Sequence, residues 1–353
     1  MKVLRNDVLD RDARITLSIG TKQPGNADGQ FFSPFVLAFD HHRGLLLAAD
    51  CKNNRVQVFS CDDGLFVSKF GEEGYQPGQF QHPFGLAIDH DHDRILITNY
   101  TNDQAQSWSL SEQSFLSCVG QQGSRDFEFR YPHGIAIDKH HRRIVIVDSF
   151  NNRLVFLSSI DLSFLFSIGK RGSRPGEFYC PSCIAVDHDR HRIIVSDTYN
   201  HRVQVLSSID GSFLFEFGSR GDQPCQVSSP QGVCIANQGR IIVAVQSDED
   251  QLQAYSHEGH HISSFDCGSE RLYGVAFDEH RGLIAFTAGN RVHVIGANQW
   301  LAGTFTWRPD RHRYAPSWMK QSVSTMTMIR SVVDESAMSM IPNELLFEIF
   351  SFL

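Results

Sequence analysis

The chain has no run of the roughly 18 apolar residues that a membrane-crossing helix needs, so no membrane partner is expected. Its start, MKVLRNDVLDRDARITLSIG, has no apolar core and carries Asp7, Asp10 and Asp12, the wrong pattern for an export signal. The expected compartment is the cytosol, with the nucleus as the alternative. An excess of positive charge is also lacking: 32 Lys and Arg stand against 40 Asp and Glu, a formal net charge of −8. That excludes a protein built mainly around polyanion binding and leaves room for a local basic patch. With 41% hydrophobic and 20% charged residues, collagen-like and wholly disordered classes are out. Tryptophan is scarce, 4 against 27 phenylalanines, which favours many short aromatic strands.

Paired metal-ligand cysteine motifs are missing as well. The eight cysteines fall at 51, 61, 118, 180, 183, 225, 234 and 267, and only Cys180 and Cys183 stand at ligand spacing. No second such pair answers them, so free thiols are expected, with no metal and no cofactor.

What the chain does have is repetition. LAFD, LAID, IAID and IAVD end at Asp40, Asp89, Asp138 and Asp187, at intervals of 49 residues. A fifth copy ends at Ala236, again 49 residues on, and a sixth ends at Asp278 after 42. Gly71, Gly120, Gly169 and Gly218 repeat at the same interval of 49. Each copy reads as four short strands, as in GIAID, RIVIVD, RLVFLSS and SFLFSIG of the third copy, bounded by Gly, Asn and Asp. Four strands per unit with no helical period between units is the blade of a β-propeller. A solenoid is the alternative, but it would need caps.

The ends of the repeat argue for closure. RITLSIG (14–20) matches the last strand of a blade and has no first three strands of its own. The sixth copy supplies first strands and then runs short. The expected fold is therefore all-β, a six-bladed propeller over 14–296 closed by an N-terminal strand, with 300–307 as the competing fourth strand.

Three copies carry a recognisable signature. Asp50-Cys-Lys-Asn-Asn-Arg55-Val, Asp148-Ser-Phe-Asn-Asn-Arg153-Leu and Asp197-Thr-Tyr-Asn-His-Arg202-Val resemble NHL repeats, as do the preceding Pro83-Phe-Gly85, Pro132-His-Gly134 and Pro230-Gln-Gly232. The resemblance covers 14–296 and is similar to the propeller of tripartite-motif proteins, whose RING, B-box and coiled coil are absent from the sequence. It implies the fold; NHL propellers serve several unrelated purposes. Asp and Arg five apart are read as structural pairs, since blade 2 replaces both (Asn99, Gln104) and blade 5 replaces both (Gln246, Gln251). Blade 6 keeps Arg291 without a matching Asp. The Asn between them is expected to sit in a left-handed turn or to bond its own backbone.

The residue between Pro and Gly is expected to look into the mouth of the channel: Phe35, Phe84, His133, Ser182, Gln231 and Tyr273. Neighbouring turns add Lys52, Tyr100, Phe150 and Tyr199. This aromatic, hydrogen-bonding surface is read as a recognition site for a protein or peptide partner. No mouth position is Asp or Glu, so the hard oxygen ligands of a propeller lactonase are missing, and His133 beside Ser182 lacks an orienting acid. No catalytic residue is assigned and the chain is expected to be a binding module, not an enzyme. RNA is the weaker reading: Lys22, Arg125, Lys170, Arg171, Arg174 and Arg220 are offset by Glu72, Glu73, Asp126 and Asp222. Histidines gather at the opposite turns (His41, His42, His90, His92, His140, His141, His188, His191, His280) and are read as polar turn residues multiplied by duplication. The sharper alternative is a metal-binding or pH-sensing face.

Past Gly296 the period stops. A linker over 297–340 and a short helix over 341–353 are expected, with an extension over 1–13 at the other end. Ile341-Pro342-Asn-Glu-Leu345-Leu346-Phe-Glu-Ile349-Phe350 closely resembles the opening of an F-box, the helical module that docks on a Skp-type adaptor in cullin-based ubiquitin ligases. That resemblance covers 341–353 only. It implies a substrate adaptor in which the propeller holds a protein and Ile341, Pro342, Leu345, Leu346, Ile349 and Phe350 contact the ligase adaptor. The alternative is a free-standing propeller that binds RNA or peptide.

Overall fold

A computed structural model describes residues 15–297 apart from 222, 224, 248, 249 and 269. The 1–13 extension, the helix at 341–353 with its six adaptor-facing residues, the linker beyond 297 and the strand proposed at 300–307 all lie outside the described residues. Six four-stranded antiparallel sheets stand round a central channel, giving the expected all-β six-bladed propeller. Blades 1 to 5 span 34–70, 83–119, 132–168, 184–217 and 230–266. Blade 6 takes its three inner strands from 272–296 and its outer strand from Ile15–Gly20. That outer strand runs antiparallel to Arg291–Gly296, with Gly20 opposite Arg291 and Ile15 opposite Ile295, so the N-terminal strand closes the ring. No helix among the described residues is long and apolar enough to cross a membrane.

Period-two side-chain alternation builds the core. In Arg143–Asp148, Ile144 and Ile146 pack into the junction with blade 2, while Val145 and Val147 pack into the junction with blade 4. Strands buried on both faces must read as near-continuous apolar runs, which is why RIVIVD shows no polar alternation. The described residues form six apolar clusters, one at each blade junction.

A second period of 49 fills those junctions. Phe31, Phe80, Phe129, Phe178 and Val227 are fully buried, each set against the glycine that ends a neighbouring outer strand. At Gly71 the backbone φ is +84° and a Cβ would lie 2.2 Å from the Phe80 ring, so both the conformation and the space require glycine. The glycine of Pro-x-Gly has a different task. A Cβ on Gly274 would stand 2.1 Å from the Phe35 carbonyl oxygen, and one on Gly85 2.4 Å from that of His133. The inner strands approach too closely there for a side chain.

Hydroxyls clasp alternate junctions of that inner ring. Thr98 accepts from Gly85 N and donates to the His133 carbonyl, while Ser196 accepts from Cys183 N at 2.7 Å and donates to Gln231 at 2.6 Å. Thr287 accepts from Gly274 N at 2.8 Å and donates to Phe35 at 3.1 Å. Ala49, Val147 and Val245 fill the matching places in blades 1, 3 and 5.

Candidate functional site

The turn between second and third strands is a single turn of 3-10 helix in blades 1, 3 and 4, and its flanking Asp and Arg meet. Arg55 Nε lies 2.8 Å from Asp50 Oδ2, and the same 2.8 Å separates Arg153 from Asp148 and Arg202 from Asp197. Each arginine then donates to three carbonyls of the loop leading into its blade: Arg55 to Asn26, Ala27 and Gln30, Arg153 to Ser124, Arg125 and Glu128. The aspartates accept from the same loop, Asp50 Oδ1 from Phe32 N at 2.8 Å. Burial pushes the Asp50 and Asp148 carboxyls up, against the N–H, Asn and Arg donors that pull them down. The pairs therefore gain little as charges alone and act by fixing the loops. In blade 6, Arg291 finds Glu270 at 2.7 Å, an acid from outside the repeat position.

Asn54 and Asn152 have left-handed φ of 54° and 56°, as expected of the turn. Their side chains reach further than expected: Asn54 Oδ1 accepts from His82 N at 2.8 Å and Asn152 Oδ1 from Cys180 N at 2.9 Å, both in the next blade. These N–H groups precede a Pro-x-Gly or Pro-x-Cys element and belong to residues with positive φ, so each turn holds its neighbour's mouth loop in place.

The mouth residues converge, but as a plug and not as an open rim. Phe35 packs on Tyr273 and Phe84 with ring centroids 4.1 and 4.2 Å apart, and Phe84 stacks on His133 at 4.2 Å. Ser182 Oγ lies 3.3 Å from Gln231 Oε1. Phe84 and Ser182 are buried and the other four half-buried. Tyr100 stacks on Phe84 at 5.9 Å and on Tyr131 at 4.7 Å, and Tyr131 meets Phe150 at 4.8 Å. An unbroken aromatic sheet thus runs from Tyr273 in blade 6 to Phe150 in blade 3.

Of the residues expected on this side, Lys52, Phe150 at 43% exposure and Tyr199 at 56% face water. Sequence reasoning missed Phe32, Tyr131 and Tyr179, and named Arg171 only among the cations of the RNA reading. Lys52 Nζ sits 4.7 Å from the Phe32 ring, and the Arg171 guanidinium 4.8 Å from the Tyr179 ring, which in turn meets Tyr199 at 5.2 Å. Repetition shows where these residues lie, but only in the fold does the loop before each Pro fall beside the turn after the second strand. Within the plug, both ring nitrogens of His133 are buried without a hydrogen-bond partner, and burial pushes its pKa down to about 3. It is a neutral imidazole with unmet hydrogen-bonding capacity at the centre of the face.

Behind the plug, the first strands line a cavity of about 260 Å³ whose lining residues include Leu37, Leu86, Ile135, Ile184, Ile235 and Val275. At its other end the histidine turns form two groups. His140 meets His188 and His191 at 5.5 and 5.2 Å. His41, His42 and His90 are closer, and their ligand atoms lie within 4.8 Å of one another. The structure thus gathers these three out of the nine turn histidines that the sequence placed on one face. Cys183 is buried and its thiol is pushed up by burial, so it packs as a small apolar group.

Residues 178–206 match the family model of the NHL repeat, covering the entry loop and first three strands of blade 4. No curated protein matches the chain. Solved structures with a similar fold include a protein of unknown function from Bacteroides thetaiotaomicron VPI-5482, 16% identical, TM-score 0.59, over 79% of this chain and 73% of that one. The β-propeller domain of Myceliophteria thermophila Cps50 (Swd1) is 11% identical, TM-score 0.55, over 80% and 99%. Kuenenia stuttgartiensis hydrazine synthase is 11% identical, TM-score 0.57, over 83% and 84%. At these identities the likeness carries the propeller fold alone. A propeller with an NHL repeat fits a binding scaffold.

Proposed function

We propose that the chain is a recognition scaffold whose Pro-x-Gly face binds a protein partner, and that the tail at 341–353 links that partner to a ubiquitin ligase through a Skp-type adaptor. The observation that carries the first part is the aromatic sheet from Tyr273 to Phe150, with exposed Phe150, Tyr199 and Lys52 at its edge. Rigid aromatic rings on a fixed scaffold give contact area at low entropic cost, the composition enriched at protein interfaces. The second part rests on the F-box-like sequence Ile341-Pro342…Phe350.

Affinity capture from cell extract tests both parts, with the intact chain beside two variants. Phe150→Ala/Tyr199→Ala removes two exposed rings and should leave the fold intact. Proteins lost with this variant and kept by the intact chain are its partners; an unchanged set moves the site off this face. Leu346→Asp/Ile349→Asp should lose Skp-type adaptor and cullin while keeping the face partners. If the intact chain brings down neither, the ligase link fails and the plain scaffold remains. The RNA reading is favoured only by Arg171 over Tyr179 beside Tyr199, a cation with two rings that suits a stacked base. Oligonucleotide affinity that falls steeply with salt and is lost in Arg171→Ala would support it.

A further inference from the structure

On the face opposite the aromatic sheet, the ring centroids of His41 and His42 are 4.3 Å apart, those of His42 and His90 4.1 Å, and those of His41 and His90 4.8 Å. His280 stacks on His41 at 4.7 Å. His41 and His90 are each lowered from the ordinary histidine value, by burial first and then by neighbouring histidines, with Asp40 opposing the shift at His90. Neutral imidazole is the form in which histidine ligates a metal.

A carboxylate behind the cluster is short of positive charge. In blades 2 and 3 the aspartate ending the first strand is paired with the arginine opening the second, Asp89 with Arg94 at 2.9 Å and Asp138 with Arg143 at 3.1 Å. Blade 1 has Leu45 at that place, opposite Asp40 in the ladder. Asp40 is fully buried, and its Oδ2 has no hydrogen-bond partner. Arg43 approaches only to 3.8 Å while donating to the Leu110 carbonyl at 2.7 Å. Asp40 Oδ1 instead stands 3.8 Å from His90 Nε2. A buried anion next to imidazoles is the arrangement that orients a metal-bound histidine from behind.

We propose that His41, His42 and His90 form a binding site for a divalent metal ion of borderline softness, zinc foremost, with Asp40 as the carboxylate that positions His90. Tetrahedral zinc with nitrogens at about 2.0–2.1 Å needs ligand atoms about 3.3 Å apart, so binding draws all three side chains inward from their present separations of up to 4.8 Å. Three protein ligands leave the fourth position to water or to an incoming group. The bound ion supplies the positive charge that Leu45 denies to Asp40. The sequence offers a face of turn histidines but not which three meet, because two adjacent histidines of one blade meet a third from the next.

The test is zinc uptake by the full chain, with zinc chloride as the only probe, measured by equilibrium dialysis at neutral pH. The expected result is one zinc per chain. His42→Ala and His90→Ala should each weaken it by about tenfold or more, and Asp40→Asn by about tenfold to a hundredfold. His42 is exposed, so an unchanged circular dichroism spectrum in His42→Ala separates lost binding from lost fold. Zinc should also raise the Tm of the intact chain and not that of His42→Ala. No uptake by the intact chain, or uptake that survives in the His42→Ala/His90→Ala double variant, overturns the proposal.

Discussion

Asn99 and Gln104 occupy in blade 2 the places that Asp50 and Arg55 occupy in blade 1, and Asn99 Oδ1 still accepts from the entry loop, from Gln81 N at 2.8 Å. The chain thus contains a neutral version of its own ion pair. It follows that Asp50→Asn/Arg55→Gln should cost less stability than Arg55→Ala alone. The single variant strands a buried carboxylate, at a cost of about 3–5 kcal/mol, whereas the double removes the charge together with its partner. Urea unfolding of the two variants checks this; equal losses would show that the stranded charge costs nothing and that the hydrogen bonds of Arg55 to the loop carry the loss. Gly274 makes a simpler case. A Cβ there meets the Phe35 carbonyl oxygen and the inner ring has no slack, so Gly274→Ala should destabilise by about 2 kcal/mol or more in the same assay. The Asp–Arg spacing was readable because both members lie within one turn. The clasp from Asn54 to His82 N was not: its members are 28 residues apart and belong to different blades.

The strand Ile15–Gly20 is joined to blade 6 through more than its backbone ladder. Ser18 Oγ lies 2.7 Å from Nδ1 of His293, which is 5% exposed and packs on Phe286. Burial, with Arg291 adding to it, pushes His293 down to about 4. The unfolded chain, with an ordinary value of about 6.5, takes up the proton first, so the contribution of His293 is complete above that pH and is lost as pH falls to about 4. The loss amounts to about 3 kcal/mol, and His293→Gln, which keeps a polar partner for Ser18 but cannot titrate, should flatten the stability profile over that window. Denaturant unfolding at a series of pH values reads it directly; parallel profiles for the two proteins would put the acid sensitivity elsewhere. The sequence revealed this strand because RITLSIG matched the fourth strand of other copies while lacking a blade of its own. The titrating group behind it was hidden, since burial at position 293 depends on Ile15–Gly20 covering it.

Six near-equal units closed into a ring place one set of turns round each end of the channel, so duplication multiplies any residue there around a common axis. This is why the aromatic face and the histidine face could both be foreseen as sets. Their internal geometry could not, because it depends on which blade-to-blade neighbours touch. Phe84 and His133 stack from neighbouring blades into a plug, a contact that no spacing within one blade reveals. His42 and His90 likewise meet across a junction.

Ile15 and Ile295 pair across nearly the whole described chain, and that fixes an order of events during synthesis. The strand that completes blade 6 leaves the ribosome before the other strands of the propeller, and its partner Arg291–Gly296 leaves after all five other blades. For that interval ITLSIG has an apolar, unpaired edge, while each intervening blade can form from contacts of its own. Ring closure is then the slowest-won contact among the described residues, since the longest loop between them has to be closed to make it. A helper that shields one segment of the nascent protein would do most good at Ile15–Gly20.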